Sequence, residues 1–355
     1  MRLKKLTGLL NKNQKFPYLI SSLINLNYLL GFKGTYGYLL IDKKGMFFIS
    51  DSRYEEYSKL ILPDSVEFIL QNRSIFETLN DLSKRLDYNS LYVEEQSLTL
   101  STYLMMEKSL NDVNIIPGGN EVNTLRIIKD EDELSNIRKA VEISDRCFKH
   151  LLDIIKPGIT EWDVAVEIEH YYLKNGCRKS AFDSVVASGK GSSMPHYVTS
   201  MTKKIEKNDI LLIDMGCTYN EYNSDLTRTI FINSIDPEFK RIYEIVKRAS
   251  DCAISSVKSG ISSGKLDKIS RDIISREGYG WAFGHSLGHG VGLDVHEIPA
   301  VKSGNSFRLK RNVVITIEPG IYLPDSGGIR IEDIVLVTKD GYEVLTGSTK
   351  DIIII

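Results

Sequence analysis

Two periodicities of apolar and polar positions run along this chain, and the switches between them mark its elements. In the first third, short apolar runs bounded by polar residues predict strands at "FPYLI", "VEFIL", "SLYVEE" and "VNIIPG". In "YGYLLIDKKGMFFISDSRY", two such runs flank Lys43-Lys44-Gly45 and predict a hairpin. Between the strands, "SLINLNYLLGF", "SIFETLNDLSKRL" and "LTLSTYLMMEKSL" carry apolar residues at helical spacing, the first stopping at Gly31. Strands alternating with helices predict an α/β domain with a mixed sheet over residues 1–120. Pro117-Gly118-Gly119-Asn120 is the predicted linker to a second domain over residues 121–355.

Past the linker the pattern changes. "NTLRIIKDEDELSNIRKAVEISDRCFKHLLDII" begins acidic, keeps a helical period and stops at Lys156-Pro157-Gly158. A second helix is predicted from Thr160 as N-cap, with Glu161 to Asp163 in its first turn. Strands follow, then helices from Pro237 to about Val257 and from Leu266 to Glu277, then strands again. Helix, helix, hairpin thus occurs twice without any residue-level repeat. That layout predicts an α+β domain of two pseudo-equivalent halves.

Composition narrows the function classes. The 355 residues carry a net charge near −2, with no basic block, so nucleic-acid binding has no electrostatic support. "MRLKKLTGLLNKNQKF" lacks the unbroken apolar stretch and small-residue cleavage site of a signal peptide. No apolar run reaches the roughly 18 residues of a membrane helix. The four cysteines are scattered, which predicts buried thiols in a reducing, cytoplasmic setting.

The chemistry concentrates in the second domain. Asp214 ends the apolar run from Ile210, and Asp225 opens the β-rich "DLTRTIFI". A hairpin centred near Tyr219 and Asn220 would set the two aspartates directly opposite each other. Glu318 follows the strand from Val313 to Ile317. Glu332 lies in the strand from Ile329 to Val337, with Pro324 to Gly328 supplying the turn. A hairpin centred on Asp325 puts Glu318 opposite Glu332. Cross-strand partners share a face at roughly 4.5–5.5 Å between Cβ atoms, and like charges that close need a cation between them. His289, in a Gly-rich stretch with His285 and His296, adds a neutral imidazole. Four carboxylates and one imidazole suit two divalent cations, and the donors suit Mn(II), Co(II) or Fe(II), with Zn(II) possible. Cys217 stands near Asp214, but the set is complete without it. His150 and His170 fall on predicted helices and read as surface or packing residues.

These ordered motifs resemble the pita-bread metallopeptidases, the family of methionine aminopeptidase, aminopeptidase P and prolidase. The likeness to the Xaa-Pro branch covers "TLRIIKDEDELSNIRKA", "VVASGKGSSMPHY", "NSDLTRTI", "GHSLGHGVGLDVHE", "ITIEPGIY" and "GGIRIEDIVLV". It extends to "NYLLGF…DSRY" in the first domain, similar to that branch's creatinase-like N-terminal domain. The resemblance implies that Asp214 chelates one ion, that Asp225 and Glu332 bridge both, and that His289 and Glu318 go to the other. It implies a nucleophilic hydroxide between the ions and Glu318 as its proton acceptor. His196 and His296 match the histidines that steady the scissile carbonyl, and His285 a pocket residue. Arg330 and Tyr322 match positions that orient the acids. Manganese or cobalt and a homodimer are implied as well. The substrate implied is a peptide with proline second. Release of its first residue, as by aminopeptidase P, is the reading taken, with prolidase as the alternative. Creatinase-like enzymes lack these ligands. Non-catalytic binding modules of this fold have lost them and carry charged extensions, a distant alternative here.

Overall fold

The computed structural model describes residues 1–110 and 112–355. The chain folds into two units, Met1–Arg126 and Ile127–Ile355.

The first unit opens on α1 (Arg2–Asn13), which buries Leu6 and Leu10. The basic N-terminal stretch is therefore an amphipathic helix, an element the sequence pattern left unassigned. β1 (Tyr18–Ile20) precedes α2 (Leu23–Leu30), whose N-cap is Ser22 and whose C-cap is Gly31 at φ 72°. β2 (Tyr38–Asp42) and β3 (Gly45–Ser50) form the predicted hairpin, with Asp42 paired to Gly45 around the two lysines. After α3 (Glu55–Ile61) and β4 (Val66–Leu70) comes α4 (Ile75–Leu86), started by a reciprocal Ser74–Glu77 capping box. β5 (Ser90–Val93), α5 (Leu100–Ser109), β6 (Asn114–Pro117) and α6 (Glu121–Arg126) complete the unit. The sheet order is β4-β3-β2-β1-β5-β6, mixed as predicted.

In the second unit, α7 (Glu131–Ile154) begins at a capping box between Asp130 and Glu133. The single long helix read from the sequence is thus two, α6 and α7. Asp130 adopts extended backbone and its carboxylate caps the new start. α8 (Glu161–Lys174) starts at Thr160 with a Thr160–Asp163 box. Then come β7 (Lys179–Ser180), β8 (Val185–Ser188), β9 (Ile210–Met215), β10 (Cys217–Tyr219), β11 (Tyr222–Asn223) and β12 (Leu226–Phe231). α9 (Pro237–Ser255) and α10 (Ser263–Arg276) lead to β13 (Gly288–Gly290), β14 (Glu297–Val301), β15 (Val314–Ile317), β16 (Gly320–Leu323), β17 (Gly327–Arg330), β18 (Asp333–Val337) and β19 (Tyr342–Val344). Two helices followed by a long hairpin occur twice, in the order the pattern predicted. One antiparallel sheet runs β12-β9-β8 and another β14-β13-β15-β18-β19. An apolar core under α9 and α10 backs the second sheet, and one under α7 and α8 backs the first. Both cores hold the hairpins rigidly, as a site built on strands requires. No helix among the described residues is long and apolar enough to cross a membrane.

Candidate metal centre

The two acid-bearing hairpins differ in register. On the second, Ile317 pairs with Asp333 and Gly320 with Arg330. The same register places Glu318 across from Glu332, around a turn where Asp325 has φ 58°. The ladder breaks at the glutamates because their backbones look outward. Glu318 N–H donates to Leu287 O at 2.8 Å and Glu332 N–H to Thr227 O at 3.1 Å. The turn is tighter than expected, since Gly327 and Gly328 lie in β17.

On the first hairpin Asp214 pairs with Thr227, and Leu226 with Met215. The expected direct pairing of Asp214 with Asp225 is therefore corrected to a diagonal one. The turn is Asn220-Glu221, at φ 45° and 70°, one residue later than the sequence suggested. Asp225 and Thr227 are two apart and so share a face, which keeps the aspartates on one side of the hairpin. Between β9 and β10 the strands come very close at Gly216, where a Cβ would sit 2.1 Å from Ser224 O.

Three of the five expected residues converge tightly. Ligand atoms of Asp225, His289 and Glu332 all lie within 4.8 Å of one another. His289 Nε2 is 3.3 Å from Glu318 Oε1 and 3.6 Å from Asp225 Oδ2. His289 Nδ1–H donates to Gly290 O at 3.1 Å, a contact that leaves Nε2 turned to the acids. Next to it, Gly288 permits close strand approach, since a Cβ there would meet Thr316 O at 2.1 Å. Asp214 is held from behind by Arg330, whose guanidinium donates to Oδ2 at 2.5 Å. Its Oδ1 is buried without a hydrogen-bond partner.

Threonines and Arg330 fix the remaining oxygens. Thr227 Oγ1 donates to Glu332 Oε2 at 2.7 Å and accepts from Arg330 Nε at 3.0 Å. Thr316 Oγ1 donates to Glu318 Oε1 at 3.2 Å. Arg330 also donates to Tyr322 OH at 2.9 Å. His285 Nδ1–H donates to Ser286 O, so its Nε2 accepts from Tyr322 OH at 3.0 Å. Burial pushes Tyr322 to about 12, which keeps the phenol a donor, and burial pulls His285 down, which keeps its Nε2 an acceptor. His196 and His296 both reach solvent. The His296 ring lies 4.1 Å from that of His289, and burial followed by the charge of His289 lowers its pKa. His196 is close enough to His296 to add to that depression. Pro195 O accepts from Arg330 at 3.4 Å and ties the His196 loop to the acids.

The electrostatics of this cluster are those of acids suited to cations. Burial first, then repulsion from Glu332, Asp214 and Glu318, pushes Asp225 well above the usual carboxylate range. Burial and then Glu318 and Asp214 do the same to Glu332. Burial raises Asp214 even against Arg330. Glu318 is the exception: burial pushes it up, but its bond to His289 together with the charges of His289, His285 and Arg330 holds it low. On His289 burial opposes a charge, but Glu318 prevails and raises it. Acids raised this way, with an orphaned Asp214 Oδ1 among them, fit divalent cations.

The other candidates lie elsewhere. Cys217 is buried in the core beneath α7, its Sγ 3.3 Å from Ala140 O. His150 stacks on Tyr171 and lies 2.8 Å from Glu167. All four cysteines are free thiols. Two glutamate side chains outside the expected site set are buried, those of Glu161 and Glu297. Glu297, beside His296, accepts from Lys129 Nζ at 2.9 Å and from Leu293 N–H at 3.0 Å.

Comparison with known proteins gives this geometry a family. Residues 135–339 match the model of metallopeptidase family M24, and residues 2–128 that of the creatinase/prolidase N-terminal domain. An Xaa-Pro dipeptidase of Pyrococcus horikoshii is 37% identical over 354 residues, covering 99% of this chain and 98% of its own. The solved Xaa-Pro dipeptidase from Bacillus anthracis superposes with a TM-score of 0.96 at 36% identity, covering 100% and 99% of the two chains. An X-Pro aminopeptidase structure from Thermotoga maritima gives 0.86 at 34% identity, covering 97% and 99%. The chain belongs to metallopeptidase family M24, with a creatinase-like N-terminal domain and a pita-bread catalytic domain. It is a metallopeptidase, and its family implies divalent metal cofactors.

Proposed function

We propose that this chain is a dinuclear peptidase cleaving the bond before proline, with Asp214, Asp225, His289, Glu318 and Glu332 holding both ions. The observation that carries this reading is the convergence of Asp225, His289 and Glu332 beside the unpartnered Asp214 Oδ1. Divalent ions bound there would lower the pKa of a water and supply a nucleophile at neutral pH. Mn(II) or Co(II) suit four oxygens and one nitrogen, with Zn(II) or Fe(II) as the other candidates.

The chain's own groups then do the rest. Glu318, ionised and hydrogen-bonded to His289, accepts the proton of the attacking water and passes it to the leaving nitrogen. That nitrogen is the proline imide, which has no N–H of its own and leaves only when protonated. Arg330 keeps Asp214 aimed inward, and the Arg330–Tyr322–His285 chain fixes the wall beside it. His296 and His196 stand on the open side, where imidazole N–H groups steady the scissile carbonyl as it becomes an oxyanion. A homodimer in the cytoplasm completes the reading: the family resemblance implies the dimer, and four scattered cysteines without paired spacing suit a reducing compartment.

The substrate beyond its proline divides two readings: a longer peptide or a free carboxylate. Aminopeptidase P-like release of a first residue from longer peptides is the one expected from the sequence. Several relatives named Xaa-Pro dipeptidase, matched at full length, favour the dipeptide. Hydrolysis of Gly-Pro and of Ala-Pro-Ala by one Mn(II)-loaded sample separates them. Cleavage of neither, together with no bound metal, would leave a non-catalytic binding module.

A further inference from the structure

We infer that Glu161 is a positioning residue for His196, holding the loop that presents this imidazole to the substrate carbonyl. The inference rests on the peptidase reading for the role of His196. The placement of the loop by Glu161 stands on geometry alone.

At the first position of α8 an acidic residue is ordinarily explained by the helix dipole. Thr160 and Asp163 already satisfy that end with their capping box. The Glu161 side chain is instead fully buried, its carboxylate turned away from solvent. Isolated, a charge so placed would be expensive. It is satisfied entirely by one segment, the stretch from Ser188 to Lys203 that leaves β8 and carries His196. Ser188 donates to Oε1 from both its N–H and its Oγ, each at 2.7 Å. Tyr197 OH donates to Oε2 at 2.9 Å, and Ser200 N–H at 3.1 Å. Lys203 Nζ is 3.3 Å from Oε1 and also donates to Ser188 O, while Glu161 N–H donates to Lys203 O at 3.0 Å. Burial and then Glu161 itself raise Tyr197 to about 12, so its phenol remains a donor.

One buried carboxylate therefore ties the start, the middle and the end of the loop to the head of a rigid helix. His196 lies between two such ties. Pro195 O is held by Arg330, and Tyr197 by Glu161. His196 itself is exposed to solvent. Its aim is inherited from its neighbours. Charge-assisted bonds to a buried acceptor are strong and directional, which suits this task.

The test is a double-mutant cycle between Glu161→Gln and His196→Ala, read on Xaa-Pro hydrolysis with bound metal measured in each sample. Gln keeps the shape but turns a donor toward either the Ser188 or the Tyr197 and Ser200 donors. E161Q should lower kcat about tenfold or more, through misplacement of a catalytic group, with KM and metal content nearly unchanged. In the H196A background the same substitution should cost almost nothing. Additive losses in the cycle would overturn the inference, since a merely structural role weakens both backgrounds alike. If E161Q is not recovered folded, Tyr197→Phe takes its place in the cycle, with a smaller loss and the same non-additivity. Additive losses or wild-type turnover for Y197F would then overturn the inference. The His196 ring resonances of metal-free protein by NMR need no substrate. If wild type cleaves no Xaa-Pro bond yet E161Q shifts His196 and leaves His150 and His170 in place, the substrate reading fails and the positioning stands. An unmoved His196 resonance overturns the positioning.

Discussion

The two acid-bearing hairpins solve one electrostatic problem in different ways. On the glutamate hairpin the acids face each other and part in charge. Glu318 is drawn down by His289 while burial and Glu318 push Glu332 up. On the aspartate hairpin the acids are diagonal, and burial raises both, Asp214 in spite of Arg330. On the proposed reading, one hairpin carries the proton acceptor, Glu318, and the other carries two acids whose charge a cation would stabilise. Arg330 joins them, reaching from the glutamate hairpin to Asp214 and to Thr227.

The largest test of this contrast removes the raised acids. Asp225→Asn and Glu332→Gln should each abolish binding of one ion and lower kcat/KM by well over the roughly 100-fold that outer partners of a metal site cost. Elemental analysis beside kinetics would show it. Either variant with full metal and turnover would mean that the raised acids are structural. Next is the link between the hairpins. Arg330→Lys keeps the charge but loses the fork that reaches Asp214, Thr227 and Tyr322 together. It should cost about 10- to 100-fold in activity or metal affinity, more than a lysine that merely neutralised Asp214 would cost.

The same contrast bears on what a sequence shows. The glutamate register was legible because Pro324-Asp325-Ser326-Gly327-Gly328 is a strong turn signal with one centre. The aspartate register was misplaced because Asn220-Glu221 has no glycine to mark it, although both residues have positive φ. The face of the aspartates survived the error, since a slip of two residues preserves alternation. α1 is hard to read from sequence because it buries only Leu6 and Leu10 among basic residues, a narrow apolar stripe. Glu161 was missed because an acid in a first helical turn has a sufficient local explanation. Only the folded loop shows that its partners come from residues 188–203.

A smaller effect concerns pH. Asp225 and Glu332 have folded pKa values raised above their unfolded ones. Stability from such groups is present below the unfolded value, about 4, and is lost as pH rises through the folded values. His289, also raised, loses its contribution in the same direction. Glu318, lowered, contributes above its unfolded value and gives that up only on acidification. In metal-free protein these groups should therefore make the Tm fall as pH rises above the unfolded carboxylate value of about 4. Saturating Mn(II) should offset the fall, contributing about 2.7 kcal/mol at a hundredfold excess over Kd. Thermal melts at fixed salt, with and without metal, check it. Asp225→Asn should flatten the metal-free slope, and a slope of opposite sign would refute the charge assignment.

The smallest effect lies in the turns. The aspartate hairpin turns on two left-handed residues, Asn220 and Glu221, and the glutamate hairpin on one, Asp325. Asn and Asp tolerate that conformation through local hydrogen bonds, whereas Glu gains little from it. Glu221→Gly creates the Asn-Gly pair that such hairpin turns prefer. It should stabilise by about 1 kcal/mol, the cost of left-handed backbone at a non-glycine residue. Loss of the Arg178–Glu221 pair, 3.3 Å apart, subtracts a few tenths of that. Asp325→Gly should gain less, because aspartate already accommodates the turn. Melts of the two variants in metal-free protein should rank E221G above D325G, with metal content on reloading unchanged in both. Equal shifts would mean that the two turns carry the same strain and that the displaced aspartate register has another cause than its turn.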